Sequence, residues 1–171
     1  VIVNSTGEGA YGLDPEVAWN MGLNLTQKFR FNYREGTVSA AYYYTDFQNQ
    51  VVTDIEDHHY VRFYNLNGRS FANSLQFQFD YELIHNLNLR LAYRWYDVKT
   101  TYNGTLKEKP LVAANRAFAN VAYETRNHWK FDYTVQWVGT KRVPASYDNA
   151  EGLSPSFIQM NAQITTNINN N

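Results

Sequence analysis

From Trp129 onward the chain alternates. Trp129, Phe131, Tyr133, Val135 and Trp137 are apolar and mostly aromatic, and Lys130, Asp132, Thr134 and Gln136 between them are polar. Successive side chains of a β-strand point to opposite faces, so His128 to Thr140 predicts a strand with one apolar and one polar face. The same two-residue period recurs along most of the chain. Glu16 to Tyr33 sets Val17, Trp19, Met21, Leu23, Leu25, Phe29 and Phe31 against Asn20, Asn24, Thr26, Lys28 and Arg30, with Gln27 as the one slip. Arg34 to Gly36 reads as a tight turn, and a second strand follows with Val38, Ala40, Tyr42 and Tyr44 on one face. Its pattern loosens after Thr45, which predicts a bulge or an exit from the apolar zone. A third segment runs from about Tyr60 to Leu83, interrupted near Gly68 by a bulge. It ends on Leu75, Phe77, Phe79, Tyr81 and Leu83 against Gln76, Gln78, Asp80 and Glu82. His85 and Asn86 form a short turn, and Leu87, Leu89, Leu91, Tyr93 and Trp95 then oppose Asn88, Arg90 and Arg94. A fifth strand of weaker parity covers about Ala113 to Thr125, and Arg126 and Asn127 turn into the strand at Trp129. A seventh carries Ile158, Met160, Ala162, Ile164 and Ile168. No helical period competes.

Two regularities select an architecture. The strands are long: about 13 residues at ~3.3 Å each, tilted near 45°, rise about 30 Å, the thickness of a bilayer's hydrocarbon layer. Strands in soluble sandwiches are usually about 5 or 6 residues. The connections also alternate. The turns at Arg34–Gly36, His85–Asn86 and Arg126–Asn127 are short, whereas the links at Asp54–His59, Thr101–Leu111 and Lys141–Ser154 are long. Short turns at one end and long loops at the other is the plan of an outer-membrane barrel. The expected fold is therefore all-β: an antiparallel up-and-down transmembrane β-barrel, in part, with about seven long strands. Residues 1–171 form one such domain. Seven is odd, and a barrel in lipid must close, so further strands are expected from outside this sequence.

Composition sharpens this in places. The chain of 171 residues holds 14 Tyr, 10 Phe and 4 Trp, and these residues favour strands. Formal net charge is -1, which gives nucleic acid no electrostatic footing. There is no cysteine, so disulfide frameworks and thiolate metal sites are excluded. Mean hydropathy is -0.54, a value that a barrel strand's averaging of lipid-facing and lumen-facing residues accommodates. The N-terminal residues show no charged leader with an apolar stretch, so no signal peptide is visible.

The ordered segments resemble a known family. Leu13 to Phe29 (LDPEVAWNMGLNLTQKF) looks like the barrel segment of TonB-dependent outer-membrane receptors, in which a Pro-Glu pair leads into a Gly-containing strand. TVSAAYYYTDFQNQVV and FYNLNGRSFANSLQFQFDYEL fit the same scheme, and KPLVAANRAFANVAYETRNHWKFDYTVQWVGTKRVP is similar to the late barrel strands of Bacteroidetes members. The resemblance runs from about Leu13 to Ile168. It implies a barrel of about 22 strands around a globular plug, and active, proton-gradient-driven uptake of a scarce nutrient: siderophore, vitamin, glycan or peptide. It also implies the bacterial outer membrane as location. The implied partners are outer-membrane lipid, the protein's own plug, TonB through an N-terminal box, the substrate, and a surface lipoprotein in some members. Neither plug, TonB box nor closing strand is seen here, so the chain reads as a late-barrel piece. A passive porin-type barrel and a soluble β-sandwich that binds carbohydrate are the alternatives.

Under the barrel reading Asp80, Glu82, Arg90, Arg94, Lys130, Asp132 and Gln136 face the lumen and plug. Trp19, Trp95, Trp129, Tyr133 and Trp137 form a lipid-facing girdle at the headgroup level. No catalytic, metal or cofactor residue is expected. His58-His59 beside Asp54, Glu56 and Asp57 reads as a solvated loop, because adjacent strand residues point apart. Asp80 and Glu82 share a face at about 7 Å, a spacing some catalytic carboxylate pairs use, with no basic partner apparent in sequence. Tyr102 and Tyr147, in outer loops, are candidates to stack on a sugar or siderophore, with ordinary packing as the plainer reading.

Overall fold

The computed structural model of the protein describes residues 2–4, 10–57, 59–145 and 152–166. In chain order the strands are β1 (Ile2–Asn4), β2 (Val17–Phe31), β3 (Arg34–Asn49), β4 (Val51–Asp54), β5 (Arg62–Asn65), β6 (Ser70–Ile84), β7 (Leu87–Tyr102), β8 (Thr105–Glu108), β9 (Asn115–Glu124), β10 (Trp129–Val138), β11 (Arg142–Val143), β12 (Gly152–Leu153) and β13 (Phe157–Thr166). Seven long strands form one sheet in the order β13-β10-β9-β7-β6-β3-β2, every neighbouring pair antiparallel. This is the up-and-down meander that the alternation predicts. Three strands have 10 residues each, the length that crosses a bilayer at a tilt. The 15 and 16 residues of β2, β3, β6 and β7 overrun that length.

The turns correct the sequence reading, and face parity explains how. Apolar residues are odd-numbered in β2 and even-numbered in β3, so only a turn with an even number of residues keeps them together. The hairpin closes through Asn32 and Tyr33, with φ of 49° and 60°, and Phe31 pairs with Arg34. Two residues with positive φ give the turn whose twist matches a hairpin. Arg34 to Gly36 therefore begins β3 and is not the turn.

In β6 and β7 the apolar positions are odd on both sides of the two-residue turn at His85 and Asn86. One extra residue is needed, and it is Leu83: Glu82 pairs with Asn88 and Ile84 with Leu87, leaving Leu83 as a bulge. In β9 and β10 they are again odd on both sides, and the loop has three residues. The Thr125 amide donates to the Trp129 carbonyl at 2.9 Å, and His128 enters the left-handed region at φ 60°. His128 thus belongs to the turn and β10 starts at Trp129.

Gly36 has a packing role in place of the turn role. A Cβ there would lie 2.2 Å from Phe29 Cζ, so the Phe29 ring lies over the bare backbone. From that position it stacks on Phe79 and Tyr81, each with ring centroids 5.9 Å away, across the intervening strand.

The segment expected as one strand from Tyr60 to Leu83 is two. β5 leaves the large sheet and joins β1 and β4 in a small three-stranded one, while β6 stays in the wall. Gly68 is a sharp bend at φ 132°, packed against Thr101, and not a bulge. The long connections lie at one end of the wall and carry structure of their own: the β4–β5 pair, β8 folded back on β7, and the β11–β12 pair. The most buried described side chains collect there, among them Val52, Asp54, Ser70, Tyr102 and Ala113. The wall itself exposes both faces.

Candidate functional site

The site is the wall, because its register sorts side chains by chemistry. One row crosses all seven long strands through Lys28, Thr37, Asp80, Arg90, Asn120, Thr134 and Asn161. The adjacent row, on the other face, reads Gln27, Val38, Phe79, Leu91, Ala119, Val135 and Met160. Directly opposed residues share a face, so the two sets stay apart over the full width.

By register Asp80, Glu82, Arg90, Arg94, Lys130, Asp132 and Gln136 lie on one face of the sheet. Asp80 and Arg90 are direct partners, joined at 2.5 Å through Arg90 Nε, and Gln78 donates to Asp80 at 2.7 Å. Glu82 receives Arg34 at 3.4 Å. Each carboxylate thus has its own arginine, which corrects the expectation that the Asp80–Glu82 pair lacks a basic partner. The bulge at Leu83 supplies the register that sequence reading missed. Lys130 meets Glu124 at 3.5 Å, and Asn120 Nδ2 donates to both Asp132 oxygens at 2.9 and 3.0 Å. Gln136 lies between Phe118 and Gln159. Arg94 is opposite Gln76 on one side and Arg116 on the other.

The other face carries Trp19, Trp95, Trp129, Tyr133 and Trp137. Trp19 is the most exposed at 68%. Trp19 and Trp95 lie towards the long connections, and Trp129 begins β10 beside the short turn. Tyr133 is on the same face but in the middle of its strand, opposite Val121 and Ala162. Towards the long connections this face turns polar at Asp46, Asn73, Asp97 and Asn115. Tyrosines inside that border reach up to it: Tyr42 donates to Asn73 at 2.9 Å and Tyr93 to Asn115 at 2.6 Å.

At the long-connection end three separate segments converge on one carboxylate. Arg142 binds Glu56 through Nη1 at 2.9 Å and through Nη2, and its Nε donates to the Glu108 carbonyl at 2.6 Å. Lys107 adds a contact to Glu56 at 3.2 Å. The Arg142 and Glu56 side chains are 8% and 11% exposed, so the pair is largely dry. Hydrogen bonding from Arg142 holds the Glu56 carboxyl below its usual pKa, against the opposing effect of burial. Beside it Tyr64 donates to Asp54 at 3.1 Å, and burial together with the Asp54 charge raises the phenol's pKa.

This cluster was not legible in the sequence, because single charges in irregular segments carry no period. It also decides the local candidates. Asp54 is engaged by Tyr64, Glu56 by Arg142 and Lys107, and Asp57 by Arg62 and His59, so these acids do not converge on one point. His58 lies outside the described residues. Tyr102 is only 3% exposed, with the Arg142 guanidinium 5.7 Å from its ring centroid, which removes it as a platform for a bound sugar. Tyr147 lies outside the described residues.

A one-layer antiparallel meander of long strands, apolar on one face and polar on the other, with short turns at one end and folded connections at the other, is part of a transmembrane β-barrel. Residues 3–171 match the family model described as TonB dependent receptor-like, beta-barrel, and the chain belongs to that family. The family comprises outer-membrane receptors of bacteria and not enzymes. No curated protein matches the chain.

Proposed function

We propose that this chain is wall from the barrel of an outer-membrane receptor that takes up a scarce nutrient against its gradient, driven by the proton gradient through TonB. The observation that carries the reading is the sorting of the two faces over seven strands in a chain of this family. The apolar face meets lipid, and Trp19, Trp95, Trp129 and Trp137 lie near its borders, where indole rings suit the headgroup level. Tyr133 is then a mid-membrane contact. The polar face, with Asp80, Glu82, Arg90, Arg94, Lys130, Asp132 and Gln136, lines the lumen and holds a plug. Backbone groups on the outer edges of β2 and β13 have no partner in this sheet. In lipid they require further strands, which fits a late-barrel piece of a larger Bacteroidetes-type receptor. Siderophore, vitamin, glycan and peptide all suit such a wall.

The test is uptake by cells expressing the full-length receptor that contains this wall, supplied in turn with a labelled ferric siderophore, cobalamin, an oligosaccharide and a peptide. One class should accumulate, and accumulation should stop when a protonophore is added or TonB is deleted. Entry that only equilibrates and ignores both treatments would mean a passive pore.

A further inference from the structure

We propose that Arg94 and Arg116 form a docking point for a carboxylate side chain of the domain that fills the barrel, an inference that rests on reading the polar face as luminal. The two arginines are direct cross-strand partners on β7 and β9. Like charges placed directly opposite each other repel and destabilise a sheet. Elsewhere on this face several acids and bases have partners: Asp80 with Arg90, Glu82 with Arg34, Glu124 with Lys130, and Asp132 with the Asn120 amide. Among the described residues neither Arg94 nor Arg116 meets a carboxylate. Arg94 rests over the Tyr96 ring at 4.4 Å, which orients the guanidinium but does not neutralise it.

Both arginines line a cavity of about 220 Å³ together with Gln76, Gln136 and Phe118. Two guanidinium groups supply planar pairs of N–H donors, and the two carboxamides add more. That donor set fits the two oxygens of a carboxylate. The occupant has to be resident. Both guanidinium groups stay charged at every working pH, and cargo that passes through would leave them unneutralised between transport events. An acidic side chain on the interior domain neutralises them continuously.

The experiment uses the full-length receptor in outer membranes. A photoreactive phenylalanine analogue is placed at Gln136, beside the arginines, or at Ser39, which is on the same face but on β3. After irradiation the linked peptides are mapped. The Gln136 probe is expected to capture a peptide outside the wall that contains Asp or Glu. Its yield should fall severalfold in the Arg94→Gln/Arg116→Gln variant and persist in Arg94→Lys/Arg116→Lys, while Ser39 capture of the interior domain stays unchanged in both. If Ser39 captures the interior domain but Gln136 does not, or captures it regardless of the arginines, or captures a peptide without an acid, the docking proposal is overturned and the luminal reading stands. If both probes link only to lipid or to nothing, the luminal reading fails and the docking proposal with it.

Discussion

Glu56 and Arg142, 86 residues apart in the chain, meet in a two-point ion pair that ties the β4–β5 connection to β11. Lys107 joins from β8. Removing one member of a buried pair strands the other, at a cost of about 3–5 kcal/mol. Glu56→Gln is therefore expected to loosen the connections without disturbing the wall. Hydrogen exchange should speed up across residues 51–65 and 105–108 and stay slow in β6 and β10.

The same pair sets an acid limit. The Glu56 carboxyl titrates below its ordinary value of 4.5, so its contribution is complete above that value and disappears as pH falls through the lowered one. Spin labels at the exposed Tyr60 and Leu106 should hold a fixed separation at neutral pH and spread on acidification. In Glu56→Gln the spread should already exist at neutral pH and change little with acid.

Gly36 tolerates no side chain while Phe29 keeps its place. Gly36→Ala puts a methyl group where the ring lies and is expected to cost about 1–3 kcal/mol, the usual range for overpacking. Phe29→Leu should remove most of that penalty. A double-mutant cycle on urea unfolding in detergent or lipid reads the coupling, and additive effects would show that the ring does not depend on the glycine.

The bulge makes a prediction about length. Deleting Leu83 leaves a regular two-residue hairpin with Asp80 still opposite Arg90, so the protein should assemble. Deleting Ala92, in the middle of β7, shifts one half of the strand by one residue and sends its polar side chains to the apolar face. The first variant should reach the outer membrane in normal amount and the second should not.

Neighbouring positions report the two faces. Leu91→Arg places a charge on the apolar face, at an expected cost of about 2–4 kcal/mol at the bilayer midplane. Ala92→Arg places it on the polar face and should assemble at near-normal level. Equal outcomes in outer-membrane fractions would contradict the proposed orientation.

Most of the wall was legible because period-two alternation reports a strand and its faces together. Parity would have located the turns as well: odd apolar positions in both β6 and β7 already require an extra residue, and odd-to-even parity between β2 and β3 already points to Asn32 and Tyr33. Arg-Glu-Gly misleads because glycine signals a turn, and at Gly36 it instead makes room for a ring. The placement of Asp80 opposite Arg90 follows once the Leu83 bulge is recognised. The Glu56–Arg142–Lys107 cluster does not follow from any local pattern, since it depends on where three irregular connections fold. The same holds for the burial of Tyr102.

Among the long strands of the meander, pairing joins only neighbours in chain order. Assembly can therefore proceed as a zipper, with every completed hairpin offering its free edge to the next. The Glu56–Arg142 pair reaches further than these neighbour pairings. It closes a circuit of 86 residues and becomes possible only after β3 through β10 have aligned. Its formation is thus expected late, as a latch on a finished wall, and Glu56→Gln should quicken unfolding of the connections more than it slows insertion.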